Sequence, residues 1–330
     1  NCIVENNFVY NSCFLKDDGG AIYTWNNSLS NPGCEGTVIR NNIVDFVPGA
    51  EDGFTLTRGL GYGIYLDDYT HDVTIEGNTV AHTVAGNIML HRGANCQVNN
   101  NLLMDGRYGV YVQGGGTTGS SITNNIIYGL DRDMDDYDIQ HLIGQRFGGR
   151  ATYDYNTYIN HYRSADVFRE DMTWYSFSEW KSTTGNDANS TADFSSLADG
   201  EYEKLFYNVT KQTMTISLGT NIYNDIAGND ISGQIKLEPF TSIILIGKIF
   251  KNVNQQPKIS NHYFTIYTPK NAYDVIGKLQ ATDYDSDQLL TFKIIEGNEA
   301  NLFSIDSKTG EITTLREIRH QENQVIELMV

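Results

Sequence analysis

Basic residues are scarce. Lys and Arg number 23 against 41 Asp and Glu, giving a formal net charge of −18. That excludes a nucleic-acid partner, whose phosphates require a basic footprint. It also excludes docking through a polybasic patch on an anionic membrane surface. No apolar run reaches the roughly 20 residues that span a bilayer, so no membrane span is expected. Cysteine is limited to Cys2, Cys13, Cys34 and Cys96. None forms a CxxC pair, which argues against a zinc ribbon. Their spacing selects no disulfide pairing, and free buried thiols fit equally well. No export leader is legible. The chain opens on "NCIVENNFVY", already inside a repeat, and closes on the strand-like "VIELMV". It reads as a segment of a longer protein that is secreted or held at the cell surface.

What the chain has in quantity is Gly (31 residues) and Tyr (21 residues), with many Asn, Asp and Thr. That composition points to an all-β, turn-rich fold. Five segments align on one Asn: "CIVENNFVY" on Asn7, "TVIRNNIVD" on Asn42, "VTIEGNTVA" on Asn78, "CQVNNNLLM" on Asn101 and "SSITNNIIY" on Asn125. "YDYNTYI" at Asn156 fits as a sixth. The steps between the five are 35, 36, 23 and 24 residues. A basic step of 23 or 24 residues holding two short strands is the signature of a β-solenoid coil. The recurrent Asn is read as structural, because Asn tolerates tight turns and stacked amides hydrogen-bond from coil to coil. The two long steps place insertions at Asn26 to Gly36 and Val47 to Gly61, as loops that wall a groove.

A second aligned set lies between the Asn segments: "GGAIYTWN" from Gly19, "GYGIYLDD" from Gly61, "AGNIMLHR" from Ala85 and "RYGVYVQG" from Arg107. Strand side chains alternate in direction. Ile22, Ile64, Ile88 and Val110, and Thr24, Leu66, Leu90 and Val112, therefore point inward. Tyr23, Tyr65, Met89 and Tyr111 form one outer column. Trp25, Asp67, His91 and Gln113 form the next. Asp68 and Arg92 follow at the strand ends, and Asp18 stands at the turn before the first strand. Aromatic faces stack on sugar rings, and acids and amides bind hydroxyls. Tyr23, Trp25, Tyr65, Tyr111 and Gln113 are thus the candidate substrate contacts. Asp18 and Asp67 are the candidate carboxyl pair, with Asp68 as substitute and His91 and Arg92 as orienting neighbours.

The order "DGGAIY … VIRNNIV … GIYLDD … VTIEGNTV … GVYVQGG … ITNNIIY" resembles bacterial right-handed parallel β-helix proteins of the polysaccharide-degrading, glycoside-hydrolase-like kind. The resemblance covers about Asn1 to Asp193 and implies a right-handed parallel β-helix with a carbohydrate ligand. Beyond it, a short helix near Ser176 to Ser182 is expected to close the solenoid. Alternating strands from about Gly200 resemble the small β-sandwich that trails bacterial glycosidases. After a linker, "NVNQQP", the segments "ATDYDSD" and "FSIDSKTGEI" resemble a cadherin-type repeat. That resemblance implies a Ca²⁺ site using Asp283 and Asp285, with Glu322 the acid left where the motif reads "RHQE". The expected organisation is a β-helix over 1–195, a small β-sandwich over 196–251 and a cadherin-like β-sandwich over 252–330.

Two functions of different class follow. One is a secreted carbohydrate-active enzyme, a glycoside hydrolase before a polysaccharide lyase. A lyase must neutralise a uronate, and the groove acids would repel an anionic sugar unless calcium bridged it. The other is a glycan-binding adhesion protein in which the cadherin-like repeat attaches or extends the chain to an extracellular partner.

Overall fold

A computed structural model describes residues 2–15, 17–50, 59–115, 118–130, 140–248, 257–259, 264, 266–282 and 290–319. Two compact units are present, Asn1–Lys248 and Ile249–Val330. The first is a right-handed parallel β-helix carrying an added sheet.

Each coil contributes one strand to each of three parallel sheets. The first sheet has six three-residue strands, from Ile3–Glu5 to Thr152–Asp154. The second has seven strands, from Phe8–Tyr10 to Thr191–Asp193. The third takes the strands Gly19–Trp25, Gly61–Asp67, Gly86–His91, Tyr108–Gln113 and His141–Arg146, ending on Phe168–Glu170 and its antiparallel partner Thr173–Tyr175. Coil interiors are filled by the inward columns. Ile64, Leu66, Ile88, Leu90, Val110 and Val112 are all fully buried. The alternation read from the sequence is therefore the one observed.

The corner between the first two sheets separates two duties that the sequence assigned to one Asn. The residue before the recurrent Asn takes the positive φ: Asn6, Asn41, Gly77, Asn100, Asn124 and Tyr155. The recurrent Asn itself stacks. Asn7, Asn42, Asn78 and Asn101 each donate Nδ2 to the next coil's Oδ1, at 2.9, 2.9, 3.0 and 2.9 Å. Asn125 continues to Asn156 at 3.1 Å. The ladder ends on buried Asp187, which accepts from Asn156 Nδ2, the Tyr158 hydroxyl, the Ser190 hydroxyl and Trp180 Nε1.

Trp180 belongs to the helix Phe177–Thr184, where the sequence expects one. Ser176 and Glu179 form a reciprocal capping box at its start, and Gly185 closes it at φ 72°. Trp180 is fully buried against Phe168 and Tyr153.

Residues 196–251, expected as a small β-sandwich, form among the described residues one four-stranded antiparallel sheet from Glu201–Tyr207 to Ser242–Lys248. It lies on the second sheet, with Ile244, Leu205 and Ile246 packed near Ala81, Met104, Tyr128 and Ile159. Tyr207 donates its hydroxyl to Asp45 at 2.8 Å across that contact. In the second unit, Val275–Lys278, Phe303–Ile305 and Glu311–Thr314 form a three-stranded sheet over Leu279, Phe303 and Ile312. Asp283, Asp285 and Glu322 lie outside the described residues. Among the described residues no helix is long and apolar enough to cross a membrane.

Candidate active site

The outer face of the third sheet carries a cavity of about 350 Å³. Asp18, Tyr65, His91, Tyr111 and Gln113 line it, together with Tyr62, Tyr108, Arg107, Arg146 and Phe147. Parallel pairing sets these residues in register. Trp25 pairs with Asp67, Gln113 with His91, and Arg146 with Gln113. One outer column thus runs Trp25, Asp67, His91, Gln113, Arg146.

Asp67 is the most heavily bonded member. Its Oδ1 accepts from His91 Nδ1 and from the Asp68 backbone N–H, both at 2.8 Å. Its Oδ2 accepts the Tyr23 hydroxyl at 2.6 Å. Burial pushes the Asp67 carboxyl up, but the hydrogen bonds from Tyr23, His91, the Asp68 N–H and Tyr65 outweigh it and hold its pKa below the ordinary value. Asp67 does not line the cavity. It stands behind His91 and fixes that ring.

Asp18 is shifted the opposite way. Burial and the neighbouring Asp67 carboxylate raise its pKa against a smaller lowering by His91 and the Tyr65 hydroxyl. Tyr65 reaches Asp18 Oδ1 at 3.5 Å. Asp18 holds φ 53°, a left-handed conformation that the short Asp side chain tolerates and that turns it in at the strand start.

Tyr65 and Tyr111 stand where alternation puts them, yet they are almost fully buried rather than displayed as an open stripe. Tyr62, Tyr65, Ala85, Met89, Tyr108 and Tyr111 form a second apolar cluster outside the coil. Tyr108 and Tyr111 stack at 4.3 Å and 10°. Burial pushes the Tyr111 phenol up to about 12. These rings present walls and edges to the cavity.

Besides Asp67, four expected residues lie outside this cavity: Tyr23, Trp25, Asp68 and Arg92. Trp25 is 53% exposed and lines a separate cavity of about 370 Å³ with Asn26, Asn27 and Tyr23. Asp68 and Arg92 are paired at 3.4 Å beside the site, with Arg92 over the Tyr69 ring. Arg92 therefore orients Asp68, which in turn lies 3.5 Å from His91 Nδ1. Asp67, Asp68 and His91 have ligand atoms within 4.8 Å of one another, as do Glu35, His71 and Asp72, so either trio could gather round a cation. Cys34 and Cys96 are buried free thiols.

Sequence reasoning missed Tyr62, Tyr108, Arg107, Arg146 and Phe147. The signal for Arg146 was present. Aligning "HLIGQR" below "YGVYVQ" extends the column by one coil, but the long insertion before it breaks the 24-residue step.

Residues 1–137 match the family model described as right handed beta helix region. No curated protein and no solved structure matches the chain.

Proposed function

We propose that this β-helix is a glycoside hydrolase of polysaccharides that works by single displacement. The observation that carries the reading is the opposed environment of two neighbouring acids, Asp18 on the cavity wall and Asp67 behind His91. Asp18 is pushed toward its protonated form and Asp67 toward its ionised form. Such a separation marks Asp18 as the proton donor and Asp67 as the standing charge behind His91.

Asp18 is the general acid, giving its proton to the glycosidic oxygen as the C–O bond breaks. With Nδ1 donating to Asp67, His91 is left with Nε2 to meet the water. His91 takes a proton from the water that attacks the anomeric carbon. Asp67 is a positioning residue, holding the tautomer and stabilising the cation that forms. This differs from the carboxyl pair expected from sequence, because both Asp67 oxygens are occupied by donors. Tyr62, Tyr65, Tyr108 and Tyr111 supply ring contacts to the sugar, and Gln113 a hydroxyl contact. The match to a right-handed β-helix model and the motif resemblance both fit a polysaccharide ligand, although fold alone does not fix a reaction.

The test is leaving-group dependence. Asp18→Asn should abolish cleavage of unactivated glycans and spare aryl glycosides whose leaving group needs no proton. Equal loss on both substrates would remove Asp18 from the acid role.

A lyase reading gains from Arg107 and Arg146, which could neutralise a uronate. It predicts an unsaturated product, which hydrolysis does not give. For the second unit, we propose a Ca²⁺ site built on Asp283 and Asp285, supported by the "ATDYDSD" motif.

A further inference from the structure

The outer column that carries Tyr65 and Tyr111 does not stop at the cavity. Register continues it from Tyr111 to Gly144, from Gly144 to Arg169 and, across the closing antiparallel pair, from Arg169 to Trp174. The next pair along, Phe168 and Tyr175, packs on the coil interior, so Arg169 and Trp174 face out. Trp174 stands four strands beyond the one that carries His91, roughly 19 Å at about 4.8 Å per strand.

An exposed apolar surface is built round it. Phe147 is 61% exposed, Met172 66% and Trp174 41%. Phe147 also lines the cavity, which makes the two regions continuous. Two cations hold the group in place. Buried Arg169 donates to the Tyr108 hydroxyl at 3.1 Å and lies 5.3 Å over the Trp174 ring, tying that ring to the cavity wall. Arg146 lies 4.7 Å over the Phe147 ring. Each of the two guanidinium groups also reaches Met172 Sδ at 4.0 Å. Phe147 keeps φ 55°, a strained conformation for a bulky side chain, and its N–H is held by Asp171 Oδ1 at 2.7 Å. Three large apolar side chains are thus fixed in the open beside a cavity walled by tyrosines. Fixed aromatic rings at that place suit the C–H face of a further sugar, with little side-chain entropy left to lose on binding.

We propose that Trp174, Phe147 and Met172 form a distal platform for the glycan that enters the cavity. The preferred ligand is then a long polymer laid across the strands of the third sheet, because a short oligosaccharide cannot touch both His91 and Trp174. The place of the cut bond rests on the hydrolase reading; the platform does not.

The experiment is calorimetric titration of the full chain, in an Asp18→Asn background, with size-fractionated fragments of three polysaccharides: polygalacturonate, sulfated galactan and β-glucan. For at least one of them, affinity should rise roughly tenfold or more from the disaccharide to the long fragments. Trp174→Ala should remove that gain and leave disaccharide affinity unchanged. If Trp174→Ala melts early, Phe147→Ser is read the same way. Fluorescence gives a local readout. Of the three Trp residues Trp180 is fully buried, so Trp25→Phe leaves Trp174 as the exposed one. Long fragments should shift its emission and disaccharides should not. Affinity that ignores length for every polysaccharide, binding of none, or equal loss at all lengths in Trp174→Ala overturns the platform. Self-association that Trp174→Ala abolishes, with glycan affinity unchanged, also overturns it and makes the surface a contact between copies. Length-dependent binding without cleavage by the unmodified chain strikes the hydrolase reading and leaves the platform standing. Cleavage that ignores both fragment length and Trp174→Ala does the reverse.

Discussion

His91 Nδ1 lies 2.8 Å from Asp67 Oδ1, on a neighbouring coil 24 residues away in sequence. Parallel stacking brings the two together, and the bond fixes which ring nitrogen is left to meet a substrate. Replacing Asp67 with Asn removes the charge behind the ring and allows the wrong tautomer. General-base assistance is worth about 10²–10⁴ in rate. Asp67→Asn should lose activity in that range with KM little changed, and the acidic limb of the pH profile, which reports the base, should be distorted. An active variant with an unaltered profile would contradict the dyad.

Asp18 and Asp67 also make opposite predictions for stability. Asp18 has a folded pKa above its unfolded value, so its contribution is full below the unfolded value and is lost as pH rises through the folded one. Asp67 has a folded pKa below its unfolded value, so its contribution is present above the unfolded value and is lost as pH falls through the folded one. At neutral pH, Asp18→Asn should therefore hold or raise the melting temperature, and Asp67→Asn should lower it. Below the ordinary carboxyl range the Asp67→Asn penalty should shrink. Melting curves from pH 3 to 8 check both signs.

The Asn ladder sets the stability of the coils. Asn101 donates to Asn125 and accepts from Asn78, in a fully buried row. Asn101→Leu strands a donor and an acceptor on adjacent coils. Each group left unsatisfied costs about 1–3 kcal/mol. Denaturant unfolding should show a loss of that order, whereas Asn7→Leu at the exposed first rung should cost less.

Trp180 closes the helix interior and binds Asp187, on which the ladder ends. Trp180→Ala should cost about 3–5 kcal/mol from the cavity it leaves. Trp180→Phe should recover the packing and still leave Asp187 short of one donor. Comparing the two separates the packing from the hydrogen bond.

Calcium removal should act on the second unit alone. If Asp283 and Asp285 hold a cation, EDTA should lower the melting transition of residues 249–330 and leave the β-helix transition in place. Asp283→Asn with Asp285→Asn should reproduce the shift without chelator. An unmoved transition would leave this unit a spacer.

Much of the fold was legible because a solenoid writes its geometry as repetition. Asn42, Asn78 and Asn101 recur because each coil needs the same rung, and Ile64 and Leu66 alternate with Tyr65 and Asp67 because strands have two faces. Asp67 beside His91 followed from that register alone. The rest was hidden for physical reasons. The positive φ at Asn41 and Gly77 belongs to the residue before the rung, and mixed Asn and Gly at that place blur the pattern. Tyr65 and Tyr111 look like an open stripe until Tyr62 and Tyr108 pack around them, which alternation cannot foresee. Arg146 escaped because an insertion of irregular length separates its coil from the periodic ones. The sheet from Glu201 packs onto the solenoid through Ile244, a long-range contact that no local period encodes.

The most direct test of the central claim uses water labelled with heavy oxygen. The full chain is incubated with the glycan it binds best, and products are weighed by mass spectrometry. Hydrolysis with Asp18 as acid and His91 as base predicts one heavy oxygen at each new reducing end, and almost none formed by Asp18→Asn. Unsaturated products without label, or labelled products formed at an undiminished rate by Asp18→Asn, would contradict it.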